Sequence, residues 1–407
     1  MSELIANSKH RQKILKGIIK DLHAGVDPEQ IKSRFSDLLE QVGPSEIGEL
    51  EQSLINEGLP VEEIQKLCDV HVAVFKESLE KQKAAAAVLA EVETNPLADL
   101  EDENRKIKAL VADIKGLVEQ IGAAEAGSSI KTLLERWDTQ QERLGMVEQH
   151  YSKKENILFP YLERYGISGP PSVMWGIHDE IRASLKEIGR VIDNAGKDPA
   201  GVQLTVEIGN IVLPALNAIA EMVYKEEQIL FPMCRDTFTA DEWEEIEAQL
   251  QDPFATAKKS QAESVQSAGR QAGIELDIGA LTPEQINLML THLPVDMTFV
   301  DANDEVRYFS LGPERIFERA RAVIGRKVQL CHPPNSMGIV EQILDDFKSG
   351  SKDSADFWIN MKGQLIYIRY FAVRDRAGVY RGTLEVTQNI TDIQKLTGEK
   401  RIYDYSN

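Results

Sequence analysis

Apolar residues recur with helical spacing through the first 250 residues, in segments separated by helix breakers. Up to about residue 90 the segments are short, with Asp-Pro at 27–28 and Gly-Pro at 43–44 between them, which predicts a small helical module. Four longer patterns follow over residues 100–121, 129–164, 173–195 and 202–231, and a short acidic helix is predicted at 241–250. Four long helices with short breaks predict an antiparallel four-helix bundle.

The pattern changes after Thr282-Pro283. Ala, Ser, Gln and Lys dominate the preceding stretch, which we predict to be a linker. Beyond it, MTFVDANDEVRYFS and QLIYIRYFAVRDRAGVYRGTLEVTQNIT alternate apolar and polar residues around turn sequences, which is typical of antiparallel strands. The fold class is therefore multidomain: an all-α N-terminal module (1–90), a four-helix bundle (95–250), a linker (251–280) and an α+β domain with an antiparallel sheet (281–397).

Composition and charge narrow the possible partners. The 407 residues carry a formal net charge of -20, which disfavours nucleic acid, because phosphate-binding surfaces rely on Lys and Arg. The N-terminus lacks an apolar signal segment, and no uncharged apolar run of about 18 residues occurs, so we expect a cytoplasmic protein without a membrane partner. The three cysteines, Cys68, Cys234 and Cys331, are widely spaced, and we expect reduced thiols.

One phrase occurs twice within the predicted bundle. KENILFP at 154–160 and EEQILFP at 226–232 align on their prolines, which pairs Phe159 with Phe231 and Glu155 with Glu227. Because proline removes a backbone donor, each helix is predicted to kink or end there. The simplest interpretation is two core-facing helix ends in a pseudo-symmetric bundle.

The repeated phrase also resembles the haemerythrin-like family. Its four-helix bundles carry His-x-x-x-Glu followed by an apolar LFP segment on two helices and bridge two irons with carboxylates. His150 stands ten residues before Pro160, where the family has a histidine, and His178 stands where the third helix supplies another. The resemblance implies a non-haem iron site with an incomplete ligand set. Its ligands would be His150, His178, Glu226 and Glu155.

Several positions depart from the family pattern. Lys154 stands four residues after His150, where the family has glutamate, Met222 replaces the second histidine, and Asn95 replaces the histidine of the first helix. Four residues turn a helix by about 40° beyond a full revolution, whereas five turn it by about 140°. Glu155 would therefore have to reach around the helix. In the alternative interpretation, the two histidines are polar groups satisfied inside the bundle.

The flanking segments extend the resemblance to nearly the whole chain. IIKDLHAGVDPEQIK and LCDVHVAVFKESLE resemble the helical domain of unknown function that precedes haemerythrin-like domains, and FVDANDEVRYFS with LEVTQNIT resembles a PAS domain. PAS domains are similar to one another in a five-stranded sheet that cups a small molecule or cofactor. In LCHPPNS, Cys331 and His332 are candidate haem ligands. In the alternative, Cys331 is a small buried apolar residue and the two prolines only shape a turn.

Three functions remain open from the sequence. The first is a cytoplasmic sensor that binds iron or haem and responds to oxygen, nitric oxide or redox state. The second is a non-haem iron protein for oxygen or nitric oxide handling or iron-centre repair, and the third is a metal-free bundle scaffold with a small-molecule PAS pocket. Since no nucleophile elbow, P-loop or dinucleotide fingerprint occurs, catalysis away from a metal is unsupported. A signal would pass to the bundle, across a homodimer or to a separate protein partner.

Overall fold

The computed structural model describes residues 96–124, 129–197, 201–252, 274–312 and 315–398, together with residues 52–57 and single positions between 14 and 64. The predicted N-terminal module, Cys68 and most of the predicted linker therefore lie largely outside the described residues. The chain divides into two compact units, one before residue 257 and one after it, apart from residues 333–335, which cluster with the first.

The first unit is a bundle of four long helical segments. Each segment packs against the segments next to it in the chain, and the fourth also packs against the first, which closes a ring around one core. A threonine capping box at Thr239 starts a short final helix. The helices are α1 (Ala98–Gly122), α2 (Lys131–Leu144), α3 (Met146–Lys153), α4 (Phe159–Arg164), α5 (Gly169–Lys197), α6 (Gly201–Glu207), α7 (Leu213–Lys225), α8 (Phe231–Thr237) and α9 (Ala240–Gln251).

In the described part of the bundle, three π-helical turns connect neighbouring α-helices without breaking the segments. They are Lys154–Leu158, Ile208–Val212 and Glu226–Leu230, and each ends two residues before a proline. In the repeated phrases, the N–H of Phe159 donates to the carbonyl of Lys154, and that of Phe231 to Glu226, five residues back. The repeated prolines therefore do not end their helices, which was one of the two outcomes predicted from the sequence. Each helix continues through a turn that is wider by one residue.

Large aromatic residues fill the bundle core. Trp137, Phe159 and Phe231 are fully buried, and Met222 is also a fully buried apolar residue. Among the described residues, one helical stretch, Leu204–Thr237, has the length and apolar composition of a membrane span, with 39% of its most apolar window buried. A core helix of a bundle has the same composition.

The second unit contains a five-stranded antiparallel sheet with the order β4-β3-β7-β6-β5. A small hairpin of β1 (Ile274–Glu275) and β2 (Ala280–Leu281) precedes it, inside the stretch predicted as linker. The remaining elements are α10 (Pro283–Thr291), β3 (Asp296–Asp301), β4 (Val306–Phe309), α11 (Pro334–Ser349), β5 (Ser354–Met361), β6 (Gln364–Arg374) and β7 (Tyr380–Asn389). The predicted α+β class and antiparallel sheet are confirmed, whereas β5 was not predicted.

Gly382 allows the central strand β7 and its neighbour β3 to approach closely. Its φ of 151° lies outside the range that other residues readily adopt, and it pairs with Asp301 of β3. A Cβ atom there would lie 2.2 Å from the carbonyl oxygen of Val300 and 2.9 Å from the ring of Phe299. Only glycine fits this position without a shift of the backbone.

Candidate functional site

A buried lysine lies at the centre of the bundle site. Lys154, the first residue of the first repeated π turn, is fully buried, and its Nζ forms an ion pair with the equally buried carboxylate of Glu226. The same Nζ lies 3.5 Å from Nε2 of His178 and 4.4 Å from the centroid of the Tyr151 ring. The amine thus occupies the space between a carboxylate, an imidazole and an aromatic face.

His150 is held between two carboxylates. Its Nδ1 lies 2.7 Å from Oε2 of Glu103, a residue of α1, and its Nε2 lies 2.8 Å from Oε2 of Glu226. Lys153 also binds Glu103, which ties this side of the network to the bundle surface. Both ring nitrogens of His150 are therefore engaged by carboxylates.

Glu155 and Arg182 hold His178 from the other side. Nδ1 of His178 lies 2.7 Å from Oε1 of Glu155, and both terminal nitrogens of Arg182 donate to the Glu155 carboxylate at 3.0 and 2.9 Å. Arg182 stands four residues after His178, on the same face of α5. If Nδ1 donates to Glu155, Nε2 of His178 is an acceptor that faces the Lys154 amine.

Burial and charge set the protonation states of this network. Burial lowers the pKa of His178 well below its usual value, with the charge of Lys154 adding to the effect. Burial alone would raise the pKa of Glu226, but Lys154 and His150 hold it below its ordinary value. Burial also lowers the pKa of Lys154, against the opposing effect of Glu226. The arrangement is a neutral imidazole beside a buried ion pair.

Tyr151 forms an apolar wall of the site. Its ring stacks on the imidazole of His178 with centroids 3.8 Å apart, and its hydroxyl is buried with no hydrogen-bond partner among the described residues. Burial, followed by the charge of Glu226, raises its pKa well above 10. The phenol is therefore neutral and contributes packing rather than a charge.

Replacing Tyr151 with Phe is expected to leave the free energy of unfolding unchanged or to raise it by about 1 kcal/mol, because a buried hydroxyl without a partner costs desolvation. The matched control is Tyr161→Phe, since the Tyr161 hydroxyl binds Glu245 at 2.9 Å and Gln249 at 3.0 Å. Urea denaturation should show a loss of about 1 kcal/mol for the control. An equal loss for Tyr151→Phe would contradict the expectation.

All four residues proposed as iron ligands from the sequence lie in this network. His150, His178, Glu155 and Glu226 are buried in one core, but they bind protein partners: His150 binds Glu226, and His178 binds Glu155. Three further buried or partly buried residues belong to the network, Lys154, Glu103 and Arg182. Helical spacing in the sequence could have indicated two of them. Lys154 stands four residues after His150, and Arg182 stands four residues after His178.

The two residues considered for haem lie in the second unit. Cys331 is buried in an apolar cluster that includes Val300, Val306 and Phe309, and its Sγ lies 3.7 Å from the carbonyl oxygen of Lys327. Burial, with help from nearby arginines, lowers the pKa of His332 to about 4. Cys331 thus packs as a small core residue, and haem ligation by this pair stays a prediction.

Family models match three consecutive parts of the chain. A family of unknown function, DUF438, matches residues 15–81, the haemerythrin HHE cation binding domain matches residues 95–234, and a PAS domain matches residues 286–391. The three-part architecture expected from the sequence is confirmed, with a haemerythrin HHE domain between the DUF438 region and the PAS domain. This HHE and PAS combination indicates a sensor or regulatory protein, and the HHE family description indicates a cation as the ligand class.

Solved structures similar to this HHE and PAS protein match part of the chain. A C-terminal domain from Streptococcus mutans is 34% identical, with 32% of this chain and all of that chain covered and a TM-score of 0.30. A PAS domain from Colwellia psychrerythraea is 15% identical over 27% of this chain and 97% of its own, with a TM-score of 0.22. The PAS domain of Bordetella pertussis BvgS is 14% identical over 28% of this chain and 88% of its own, with a TM-score of 0.23. No curated protein matches the chain.

The residues of the bundle core do not fit a di-iron centre. Iron in such bundles is held by imidazole nitrogens and carboxylate oxygens that converge from all four helices. In the part of the chain that the structure describes, no group of three or more His, Cys, Asp or Glu side chains is arranged to hold a metal ion. Lys154, whose ammonium has donors and no lone pair, lies between two of the proposed ligands instead.

Proposed function

We propose that this protein is a cytoplasmic regulator in which the PAS domain receives a small-molecule signal and the HHE bundle is a metal-independent structural module. The observation that carries the proposal is the position of Lys154. A cation fixed to the chain meets the carboxylate of Glu226 where the family resemblance calls for a metal. An added iron would face the positive charge of Lys154 and would have to displace it from Glu226.

The network also explains why histidines and glutamates remain in a bundle without iron. A buried ion pair is tolerated only when further hydrogen bonds satisfy its remaining donors and acceptors. His150 supplies such a bond to Glu226, and Arg182 neutralises Glu155. Each buried charge of the network thus has an opposite charge or a hydrogen-bond partner, without need of an ion from solution.

A second candidate function is an iron-dependent sensor of oxygen, nitric oxide or redox state, or an iron protein that handles these gases or repairs iron centres. The observation in its favour is the convergence of His150, His178, Glu155 and Glu226 in one core. Iron would require Lys154 to leave this core. A signalling partner protein and a homodimer are compatible with either candidate.

Iron content separates the two candidates. The wild-type protein, purified anaerobically, incubated with Fe(II) and desalted, is expected to hold far less than one iron per chain by elemental analysis. Lys154→Glu is expected to hold more, because it places a carboxylate on the same helical face as His150. Lys131→Glu, at an exposed position of α2, is the matched control and should behave as wild type.

Circular dichroism would establish that each variant is folded before its iron is counted. Stoichiometric iron in the wild-type protein would overturn the metal-independent bundle and favour the iron-dependent sensor. Equal iron in wild type and Lys154→Glu would contradict the role assigned to Lys154.

A further inference from the structure

The inner face of the PAS sheet carries a row of polar side chains. Thr298 of β3 pairs with Glu385 of β7, which pairs with Tyr370 of β6, so the three share one face of the sheet. The next row on this face joins Asp296 to Thr387. Asp296, Thr298 and Thr387 are each at most 6% exposed. A core made only for packing would be apolar here.

Two arginines from the segment after β4 face this row. Nη1 of Arg315 donates to Oδ1 of Asp296 and to the carbonyl of Ser310, both at 2.6 Å. Nη2 of Arg319 lies 3.9 Å from Oε2 of Glu385, too far for a hydrogen bond. Both side chains are almost buried, with 11% and 12% of their surface exposed.

These arginines retain unused donors. Nε and Nη2 of Arg315, and Nε of Arg319, are buried without a hydrogen-bond partner among the described residues. Nε and Nη2 form one edge of the guanidinium, and its two parallel N–H groups match the two oxygens of a carboxylate. Unpaired donors of a buried charged group are costly, so a bound acceptor would stabilise this arrangement.

The surrounding charges favour an acceptor with a single negative charge. Arg315 and Arg319 face two carboxyl groups, those of Asp296 and Glu385. Burial raises the pKa of Glu385, so its charge is the one most easily lost on ligand binding. A phosphate, with close to two charges, would meet stronger repulsion from Asp296.

We propose that the PAS domain binds a small organic acid whose carboxylate is held by the free Nε and Nη2 edge of Arg315, with Nε of Arg319 beside it. The proposal deepens the proposed function and rests on it, since it names the ligand class of the PAS domain. Thr298 and Tyr370 lie on the same sheet face and supply hydroxyls for a second polar group of the ligand.

The test uses the full-length protein with acetate, benzoate and succinate as probes. Ligand-observed saturation-transfer NMR and calorimetry should detect binding of at least one of these acids. The matching amide (acetamide, benzamide or succinamide) should bind at least about tenfold more weakly, because it has no pair of charged oxygens to accept the two N–H groups of Arg315. Inorganic phosphate is included as the competing anion.

Arg315→Lys separates recognition by the guanidinium edge from simple charge. It keeps the positive charge beside Asp296 but loses the paired donors, so affinity for the acid should fall about tenfold or more. Arg319→Lys, which keeps charge near Glu385, should weaken binding less, and Arg321→Lys, at an exposed position, should have no effect. Circular dichroism would confirm that the variants are folded.

Three results would overturn the proposal: no binding of any of the three acids, tighter binding of phosphate than of the acids, or full affinity in Arg315→Lys. Failure of this site is distinguishable from failure of the proposed function. Stoichiometric bundle iron would refute the latter, whereas an iron-free bundle with no acid binding would leave the regulator in place with a different PAS ligand class.

Discussion

Lys154→Met is expected to lower the free energy of unfolding of the bundle by about 3 kcal/mol, because it leaves a buried carboxylate without its cation. Glu226 and Lys154 are both fully buried, and of the contacts to Glu226 described above only the hydrogen bond with His150 would remain among the described residues. A Met side chain retains most of the buried volume, so the loss would report the charge rather than a cavity. Urea denaturation followed by tryptophan fluorescence measures it.

Fluorescence can be restricted to the bundle by removing one tryptophan, and two further variants test the ion pair itself. In a Trp358→Phe background, the remaining tryptophans, Trp137, Trp175 and Trp243, all lie in bundle helices. The double variant Lys154→Met, Glu226→Gln should recover much of the loss, since it removes both charges together. Lys153→Met breaks a partly exposed pair and should cost about 1 kcal/mol or less. If Lys154→Met also lowered the free energy of unfolding by only about 1 kcal/mol, the importance assigned to the buried pair would be contradicted.

Gly382→Ala is expected to destabilise the PAS domain by about 3 kcal/mol or more, because the new methyl group would overlap the Val300 carbonyl and the Phe299 ring. Relief requires β3 and β7 to separate at the centre of the sheet. Hydrogen exchange measured by mass spectrometry should show faster exchange in both strands.

Gly378 provides the matched control for the sheet. It also has a positive φ, 79°, but no atom lies within 4 Å of its added Cβ, so Gly378→Ala should cost only about 1–2 kcal/mol of backbone strain. Unchanged exchange in β3 and β7 of Gly382→Ala would show that the strands absorb the methyl group.

Regular periodicity accounts for the parts of the fold that the sequence predicted. The predicted helix at 173–195 corresponds to Gly169–Lys197. The strands predicted on either side of the turn at 301–304 correspond to β3 and β4, and those on either side of the turn at 375–378 correspond to β6 and β7. β5 was missed because it is an edge strand exposed on both faces, which leaves no alternation of apolar and polar residues.

The candidate site was predictable in its residues but not in its contacts. The resemblance selected His150, His178, Glu155 and Glu226, and the structure places all four in one buried network. Spacing along one helix could not show that Glu155 pairs with His178 of the next helix, or that Lys154 reaches Glu226 across the core. Contacts between helices depend on their relative rotation, which no single periodic pattern contains.

Each π turn determines which side of the helix faces the core beyond the turn, and therefore where the apolar stripe lies relative to the proline. A turn wider by one residue rotates the side chains beyond it by about 100° compared with an unbroken α-helix. Both copies of the repeated phrase carry the same extra residue, at Lys154–Leu158 and Glu226–Leu230, so the side chains after each of these two turns are rotated by the same angle. Loss of one residue from either turn would rotate Phe159 or Phe231, both now fully buried, away from the core.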